Sequence, residues 1–225
     1  MIVLIGGEKG GTGKTTLATN LAALRSAAGV DVLLVDTDRQ GSASFWAATR
    51  DEAPGLAAVP CVQVFGKGVS RRVADLAGRY GDVVVDAGGR DSVELRSAMV
   101  VADRLFVPVQ ASQFDVWTLE QVDGLVEQAG AINPGLEAAV VVNRASTHPR
   151  VREAEEAEGL VAEFEHLGTS GVVVRDRIAY RRAAAEGRGV AEVADPDAKA
   201  VSEMEVWYRA VFGEASVGKG RAERS

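Results

Sequence analysis

The chain has 225 residues, 47% of them hydrophobic and 25% charged, which is typical of a globular protein and enough for one sizeable domain. A formal net charge of −7 excludes a protein that binds nucleic acid through its overall charge, so such contacts need a local basic patch. The single cysteine, Cys61, excludes an intrachain disulfide and fits a reducing cytoplasm, and no apolar run is long enough for a transmembrane helix.

The chain begins with a short apolar run, 1–5, which predicts a buried strand. The run lacks the basic leader of a signal peptide, so we expect no secretion signal. The stretch 6–16 follows and reads Gly-Gly-Glu-Lys-Gly-Gly-Thr-Gly-Lys-Thr-Thr. Leucines at helical spacing then predict a helix over 14–28 that ends at Gly29. Strand, glycine-rich loop and helix in this order are the context in which Gly-x-x-x-x-Gly-Lys-Thr forms a phosphate-binding loop.

This loop predicts a site for the phosphates of a nucleotide. Glycines let backbone N–H groups approach phosphate oxygens, and the N-terminus of the following helix favours negative charge. Lys14 can reach the β- and γ-phosphates, and the hydroxyl of Thr15 can bind Mg²⁺. We therefore expect ATP or ADP, with Mg²⁺, as ligands. The loop residues expected to contact them are Gly10, Gly11, Thr12, Gly13, Lys14, Thr15 and Thr16.

Acidic residues follow two of the apolar strands predicted after the loop. Asp36 ends the strand 31–36 and Asp38 follows two residues later, whereas Asp86 ends a later strand. Because the carboxyl ends of strands line the ligand crevice of an open α/β sheet, these acids indicate a site for Mg²⁺ and water. An apolar strand that ends in Asp is also the Walker B pattern, in which the acid holds Mg²⁺. The glycine-rich turn 87–91 is expected to order on ATP binding and to relax after hydrolysis.

Further hydrophobic periodicities predict alternating strands and helices. Strands are expected over 59–65, 82–86, 103–109, 136–143 and 171–174. Helices are expected over 42–49, 69–80, 93–101, 115–129, 150–165 and 198–212, with a short one that Gly187 closes. The alternation predicts an α/β fold with a doubly wound, mainly parallel sheet flanked by helices. We expect one domain over 1–212 and a disordered tail over 213–225.

Three large aromatic side chains are expected to pack in the core. Phe45 and Trp46 belong to the predicted helix 42–49, and Trp117 belongs to the predicted helix 115–129. For Trp46, a place in a dimer face is the alternative, although a lone tryptophan is more often buried.

Polar residues near the ends of later elements are candidates for base and DNA contacts. Asn143 ends a predicted strand, where its amide can bind adenine or, alternatively, form an ordinary turn. A basic cluster concentrates positive charge in an acidic chain, and it can contact DNA phosphates or form ion pairs with the acidic run 153–158. The cluster consists of Arg175, Arg177, Arg181 and Arg182.

With Lys9 placed before Gly10-Gly11, the loop resembles the deviant Walker A motif of the ParA/MinD ATPases. In that family the additional lysine reaches the nucleotide of the partner subunit. The resemblance continues in Asp36-Thr37-Asp38, in the strand that ends at Asp86 and in the Arg-Ile-Ala-Tyr-Arg-Arg segment, so that it covers 1–212. The sequence departs from the family at Arg39, where proline is usual, and in the Ala-Gly-Gly after Asp86, where prolines are common.

The resemblance implies roles for these residues. Lys9, Lys14 and Asp38 are expected to be catalytic, with Asp38 positioning the attacking water. The expected metal ligands are Thr15, Asp36 and Asp86. The resemblance also places DNA contacts at Arg175, Arg177, Arg181 and Arg182.

The resemblance further implies an ATPase that hydrolyses ATP to ADP and phosphate. It forms a homodimer on ATP binding, binds DNA without sequence preference and segregates or positions a plasmid or chromosome cargo. An adaptor of the ParB or ParG kind stimulates hydrolysis. The expected location is the cytoplasm, on the nucleoid and away from the membrane. Since no DNA-binding helix-turn-helix precedes the loop, the short ParF-like class is the closest expectation.

Three alternatives stay open at this point. The same engine can position a different cargo, such as a carboxysome. A P-loop ligase similar to dethiobiotin synthetase would need a substrate pocket where a dimer face is expected, and ATP turnover without an organic acceptor would exclude it. A nucleotide sensor without enzymatic activity would be excluded by measurable turnover.

Overall fold

The computed structural model describes residues 1–89, 91–110, 116–148 and 159–213. The strands are β1 (Ile2–Ile5), β2 (Val32–Asp36), β3 (Cys61–Gln63), β4 (Asp82–Asp86), β5 (Arg104–Gln110), β6 (Glu137–Ala145) and β7 (Gly168–Arg175). The helices are α1 (Lys14–Ala27), α2 (Ser42–Asp51), α3 (Val69–Ala77), α4 (Val93–Met99), α5 (Val116–Gly130), α6 (Ile178–Ala185) and α7 (Ala198–Phe212). Strands and helices alternate from β1 to β6, as the hydrophobic periodicity predicts, and two helices follow β7.

The strands form one seven-stranded sheet in the order β3-β2-β4-β1-β5-β6-β7. All its strand pairs are parallel, which confirms and sharpens the predicted mainly parallel sheet. Ile5 at the end of β1 pairs with Asp86 of β4, and Asp86 pairs on its other side with Asp36 of β2. Both acids therefore lie beside the end of the strand that leads into the glycine-rich loop.

Two apolar layers cover the sheet. Because strand side chains alternate between faces, Val3 and Ile5 contribute to one layer and Ile2 and Leu4 to the other. Helices α1, α2, α6 and α7 pack on the first face, and α3, α4 and α5 pack on the second. The strand interiors are buried on both faces, which explains their continuous apolar sequences.

The prediction for the three aromatic side chains is correct at one position and wrong at two. Trp46 is buried, and its indole Nε1 donates a 3.2 Å hydrogen bond to the carbonyl of Arg188, so it belongs to the core. Phe45 and Trp117 are 73% and 77% exposed. In each helix, other residues at three- and four-residue spacing form the buried stripe, and these two side chains lie outside it.

Some predictions fall on residues that the structure does not describe. Residues 150–158 of the predicted helix 150–165 lie outside the described residues, and so does the predicted tail after Gly213. Arg90 of the predicted switch turn is not described either. Within the described ranges, no helix has the length and apolar character that crossing a membrane requires.

Candidate nucleotide site

Side chains from the ends of β5 and β6 hold the glycine-rich loop between β1 and α1. Asn143 donates a 2.7 Å hydrogen bond from Nδ2 to the carbonyl of Thr12. The carbonyl of Gly11 accepts 2.8 Å bonds from Gln110 Nε2 and from an Arg144 guanidinium nitrogen. These contacts use carbonyl oxygens only, so they do not consume the loop N–H groups that bind phosphate in sites of this type.

Gly13, directly before α1, has a left-handed backbone conformation with φ of 87°. A Cβ atom at this position would also collide with the Asn143 amide. Glycine is therefore required here for both backbone conformation and space. The close approach brings the buried Asn143 into the wall of a cavity that Thr16 and Arg144 also line. Contact of Asn143 with adenine stays a prediction, since its amide nitrogen already positions the loop.

Lys14 points back into the loop and is 7% exposed. Its Nζ donates a 2.7 Å hydrogen bond to the carbonyl of Lys9. Burial lowers the pKa of Lys14, and the negative charges of Asp86 and Asp38 oppose that shift. The Lys14 ammonium can bind a phosphate oxygen through a charge-assisted hydrogen bond. The catalytic roles of Lys14 and Lys9 stay predictions at this stage.

Asp86 and Thr15 meet at the expected place for Mg²⁺. Thr15 Oγ1 donates a 2.7 Å hydrogen bond to Asp86 Oδ2. Asp86 is 1% exposed, and its Oδ1 has no hydrogen-bond partner among the described residues. Burial is the main cause that raises the pKa of Asp86 to about 7, and the Thr15 hydrogen bond lowers it. An unpartnered buried carboxylate oxygen beside a hydroxyl fits a hard divalent cation.

No group of three His, Cys, Asp or Glu side chains converges on a metal position in the part of the chain that the structure describes. Mg²⁺ does not require such a cage, because it is commonly held by one or two carboxylates together with substrate phosphates and water. The arrangement of Thr15 and Asp86 is therefore compatible with a magnesium nucleotide.

Asp36 has a different environment from Asp86, although the two strand ends are paired. Its Oδ2 accepts hydrogen bonds from the backbone N and the hydroxyl of Ser44, at 2.9 and 2.8 Å, and its Oδ1 accepts from the backbone N of Asp38 at 3.0 Å. Asp36 thus ties the first turn of α2 and the following loop to β2. Direct contact of Asp36 with a metal stays a prediction.

Asp38 lies where the predicted switch turn approaches the loop after β2. A Cβ atom at Gly88 would lie 3.5 Å from the Asp38 carboxyl carbon, so the two segments are in contact. A Cβ atom at Gly89 would lie 2.7 Å from the Cα of Gly10 and 2.8 Å from its N. Glycine therefore allows the turn to pack directly on the phosphate loop. Movement of this turn with nucleotide state, and orientation of water by Asp38, stay predictions.

The structure divides the predicted basic cluster into two parts. Arg177 is bound internally, with 3.0 and 2.7 Å bonds to Glu203 Oε1, and Arg175 donates to the carbonyl of Ser146. Arg181 and Arg182 are exposed and form no ion pair within the described ranges. The alternative partners at 153–158 lie outside the described residues. DNA contact by all four arginines stays a prediction, with intramolecular partners now known for Arg175 and Arg177.

Sequence reasoning missed four residues that shape this site: Gln110, Arg144, Ser44 and Glu203. Gln110 and Arg144 lie at or near the carboxyl ends of strands, which was the available signal for them. Arg144 also has φ of 53°, an uncommon conformation for a residue other than glycine. Ser44 and Glu203 lie on helices and carry no comparable sequence signal.

Comparison with known proteins places this geometry in a family. Residues 3–190 match the model of the CobQ/CobB/MinD/ParA nucleotide binding domain. The maintenance of carboxysome distribution protein A of Gloeobacter kilaueensis is 34% identical, over 95% of this chain and 93% of its own. The protein of that name from Halothiobacillus neapolitanus is 31% identical, over 87% and 89%. The chromosome partitioning protein ParA of Caulobacter vibrioides is 31% identical, over 63% and 68%.

Three solved structures share the fold at low sequence identity. A Cyanothece McdA–ATP complex is 17% identical with a TM-score of 0.76, over 96% of this chain and 98% of its own. MinD from Pyrococcus horikoshii with Mg-ADP is 17% identical with a TM-score of 0.69, over 94% and 95%. Cobyrinic acid a,c-diamide synthase from Mycobacterium smegmatis, with ADP and magnesium, is 19% identical with a TM-score of 0.65, over 82% and 92%.

The solved structures establish the P-loop NTPase fold alone. Membership of a family rests on the family model and on the relatives that match over most of their length. The family model covers most of the described chain, and it includes the phosphate loop and the strand that ends at Asp86. The resemblance predicted from the Lys9 loop is thereby confirmed. The chain belongs to the CobQ/CobB/MinD/ParA family of nucleotide-binding proteins.

Proposed function

We propose that this protein is a magnesium-dependent ATPase of the ParA type that hydrolyses ATP to ADP and phosphate. The observation that carries the proposal is the contact of Thr15 with the buried Asp86, one of whose oxygens has no partner among the described residues. This pair adjoins the Lys14 ammonium and the phosphate loop, which is the arrangement used in phosphoryl transfer. The ATP and magnesium in solved structures of this fold support the choice of ligands.

Each residue has a distinct task in the proposed reaction. The loop N–H groups and Lys14 bind the phosphates and fix their orientation. Thr15 and Asp86 would hold Mg²⁺, which, when bound, neutralises charge on the phosphate oxygens. Asp38 orients the attacking water beside the Gly88-Gly89 turn. Lys9 acts on the nucleotide of a partner subunit, so hydrolysis requires an ATP-bound homodimer.

The proposed role of the cycle is to position a large cargo over the nucleoid. The ATP-bound dimer binds DNA without sequence preference, and a cargo-bound adaptor stimulates hydrolysis and release. A chromosome or plasmid and a carboxysome are both supported as cargoes, because relatives with either description have nearly equal identity to this chain.

A ligase is the second candidate, since the cobyrinic acid a,c-diamide synthase shares the fold. The two classes differ in what receives the phosphoryl group. An ATPase is expected to release phosphate from Mg-ATP with no organic acceptor present. If a dimer is the active form, the rate per protein molecule should rise with protein concentration. No release without an acceptor would overturn the ATPase proposal, and binding without turnover would favour a sensor.

Lys14→Ala is the matched negative control for this measurement. Removing a buried charge-assisted contact to phosphate is expected to lower turnover by about 100-fold or more. Phosphate release should be followed together with nucleotide binding, and circular dichroism should show that the variant folds. Normal turnover in a folded Lys14→Ala variant would show that the loop is not the phosphate site.

A further inference from the structure

Arg39 stands where the family usually has proline, and the structure gives it a specific contact. Its guanidinium lies 5.2 Å from the ring centre of Phe65, which is the geometry of a cation–π interaction. Arg39 is exposed and directly follows Asp38. Phe65 follows β3 by two residues. This contact joins the loop at the nucleotide site to the segment between β3 and α3.

That segment and the first turns of α3 carry three more exposed cations. Lys67, Arg71 and Arg72 lie before or within the first turns of α3, and none of them forms an ion pair within the described ranges. We call Arg39, Lys67, Arg71 and Arg72 the β3–α3 cationic patch. It lies at the edge of the sheet opposite to β7 and on the opposite face from α6.

Hydrogen bonds to α4 hold the backbone that carries the patch. The backbone N of Gly66 donates to Glu94 Oε1 at 2.9 Å, and the backbone N of Ser70 donates to Ser97 Oγ at 2.9 Å. Ser97 Oγ in turn donates to the carbonyl of Lys67 at 3.2 Å. Glu94 is the acidic group that faces Arg39, and its carboxylate is engaged with Gly66. The cations therefore project from a supported surface.

We propose that the β3–α3 cationic patch binds the phosphate backbone of duplex DNA, as a second contact surface in addition to the separate one at Arg181 and Arg182. The proposal rests on the DNA binding included in the proposed function. Phosphates recur at regular spacing along a duplex, so several of them can pair at once with cations that are spread over the surface around α3. Insertion into lipid is disfavoured because the partly exposed ring of Phe65 has the charged guanidinium of Arg39 beside it.

The patch also has a direct route to the nucleotide. Asp38 contacts the Gly88-Gly89 turn, and its carbonyl accepts a 2.9 Å hydrogen bond from Gly41. A shift of Asp38 on ATP binding moves the adjacent Arg39, which Phe65 links to the rest of the patch. We therefore expect the contribution of the patch to be larger in the ATP-bound form than in the ADP-bound form.

The test measures binding of a random-sequence duplex to the full chain with Mg²⁺ and a non-hydrolysable ATP analogue, at two or more salt concentrations. Arg71→Glu/Arg72→Glu is compared with Arg79→Glu/Arg209→Glu, which makes the same change in net charge near the amino ends of the strands. Arg181→Glu/Arg182→Glu forms the third arm. Basal phosphate release serves as the folding control, since neither Arg71 nor Arg72 belongs to the nucleotide site.

Arg71→Glu/Arg72→Glu is expected to bind DNA at least about tenfold more weakly at about 100 mM salt. The slope of log affinity against log salt, which is negative, should become less steep by about 2, one for each lost phosphate contact. The Arg79/Arg209 control should retain the parental affinity within about twofold. Arg39→Gln should reduce the difference between the ATP-analogue and ADP forms, and an unchanged difference would remove the link through Asp38.

Equal affinity and salt slope in the Arg71/Arg72 variant and its control would overturn the patch while leaving DNA binding by α6 in place. Absence of DNA binding by the unmutated protein would overturn both the patch and the DNA part of the proposed function. Retained DNA binding with loss of stimulation by an acidic partner protein would assign the surface to that partner and overturn the proposal as well.

Discussion

Two buried carboxylates at adjacent strand ends have different hydrogen-bonding environments in this protein. Asp36 accepts hydrogen bonds from Ser44 and from the backbone of Asp38, so its charge is satisfied by the protein itself. Asp86 accepts from Thr15 at one oxygen, and the other oxygen has no partner among the described residues. Asp36 therefore holds together the loop after β2 and the first turn of α2, whereas Asp86 keeps one oxygen available for the proposed Mg²⁺.

Cys61 permits a separate test at the residue scale. Burial is the main cause that raises the pKa of its thiol to about 11, and neighbouring carboxylates add to the shift while a Ser44 hydrogen bond opposes it. Below that pKa the thiol stays protonated, and at pH 8 roughly one molecule in a thousand carries the reactive thiolate. We expect slow alkylation by iodoacetamide at pH 8 in the native protein and fast alkylation in concentrated guanidinium chloride.

The labelling rate should rise with pH up to the raised pKa in the native protein, but only up to an ordinary thiol pKa after unfolding. Cys61→Ala should show no labelling, because it is the single cysteine. Equal rates for native and unfolded protein would contradict the burial of this thiol.

At the scale of elements, α2 is fastened at both ends. Asp36 holds its first turn through Ser44, whereas Arg50 near its end is buried and forms two 2.7 Å bonds to Glu192. Arg50 also donates to the carbonyl of Gly187 at 3.1 Å, and a Cβ atom at Gly187 would collide with the backbone of Arg50. The loop after α6 is thereby held against the helix that begins at the nucleotide site.

Glu192→Ala is expected to destabilise the protein by about 3–5 kcal/mol, because it leaves the buried Arg50 guanidinium without its counter-charge. The free energy of unfolding, measured by denaturant titration, checks this expectation. The double variant Arg50→Met/Glu192→Ala removes the uncompensated charge and should recover part of the loss. A loss below about 1 kcal/mol for Glu192→Ala would show that the pair does not hold the loop.

At the scale of the whole molecule, the proposed cycle depends on two copies of the chain. Asp38→Ala is expected to bind ATP and accumulate as a dimer, since water is no longer oriented and turnover falls by about 100-fold. Lys9→Ala is expected to bind nucleotide but to fail in productive dimerisation. Light scattering with Mg-ATP, together with phosphate release, distinguishes the two variants. A monomeric Asp38→Ala beside a fully active Lys9→Ala would contradict both assignments.

The order of strands and helices along the chain, the α/β class with a mainly parallel sheet and the family could all be predicted from local sequence patterns. The predicted bounds 82–86 and 198–212 agree with β4 and α7, because apolar runs and helical periodicity depend only on residues that are close in the sequence. The phosphate loop was identifiable for the same reason, as a strand, a glycine-rich turn and a helix follow one another directly.

Which distant side chains are in contact depends on how the elements pack, so local sequence patterns could not predict it. Asn143 holds the carbonyl of Thr12, Arg177 pairs with Glu203, and Arg39 lies on Phe65, although each pair is separated by at least one strand or helix. The order β3-β2-β4-β1-β5-β6-β7 creates these neighbourhoods. Hydrophobic periodicity determines which face of an element is buried, but the element that covers that face depends on sheet order and helix packing.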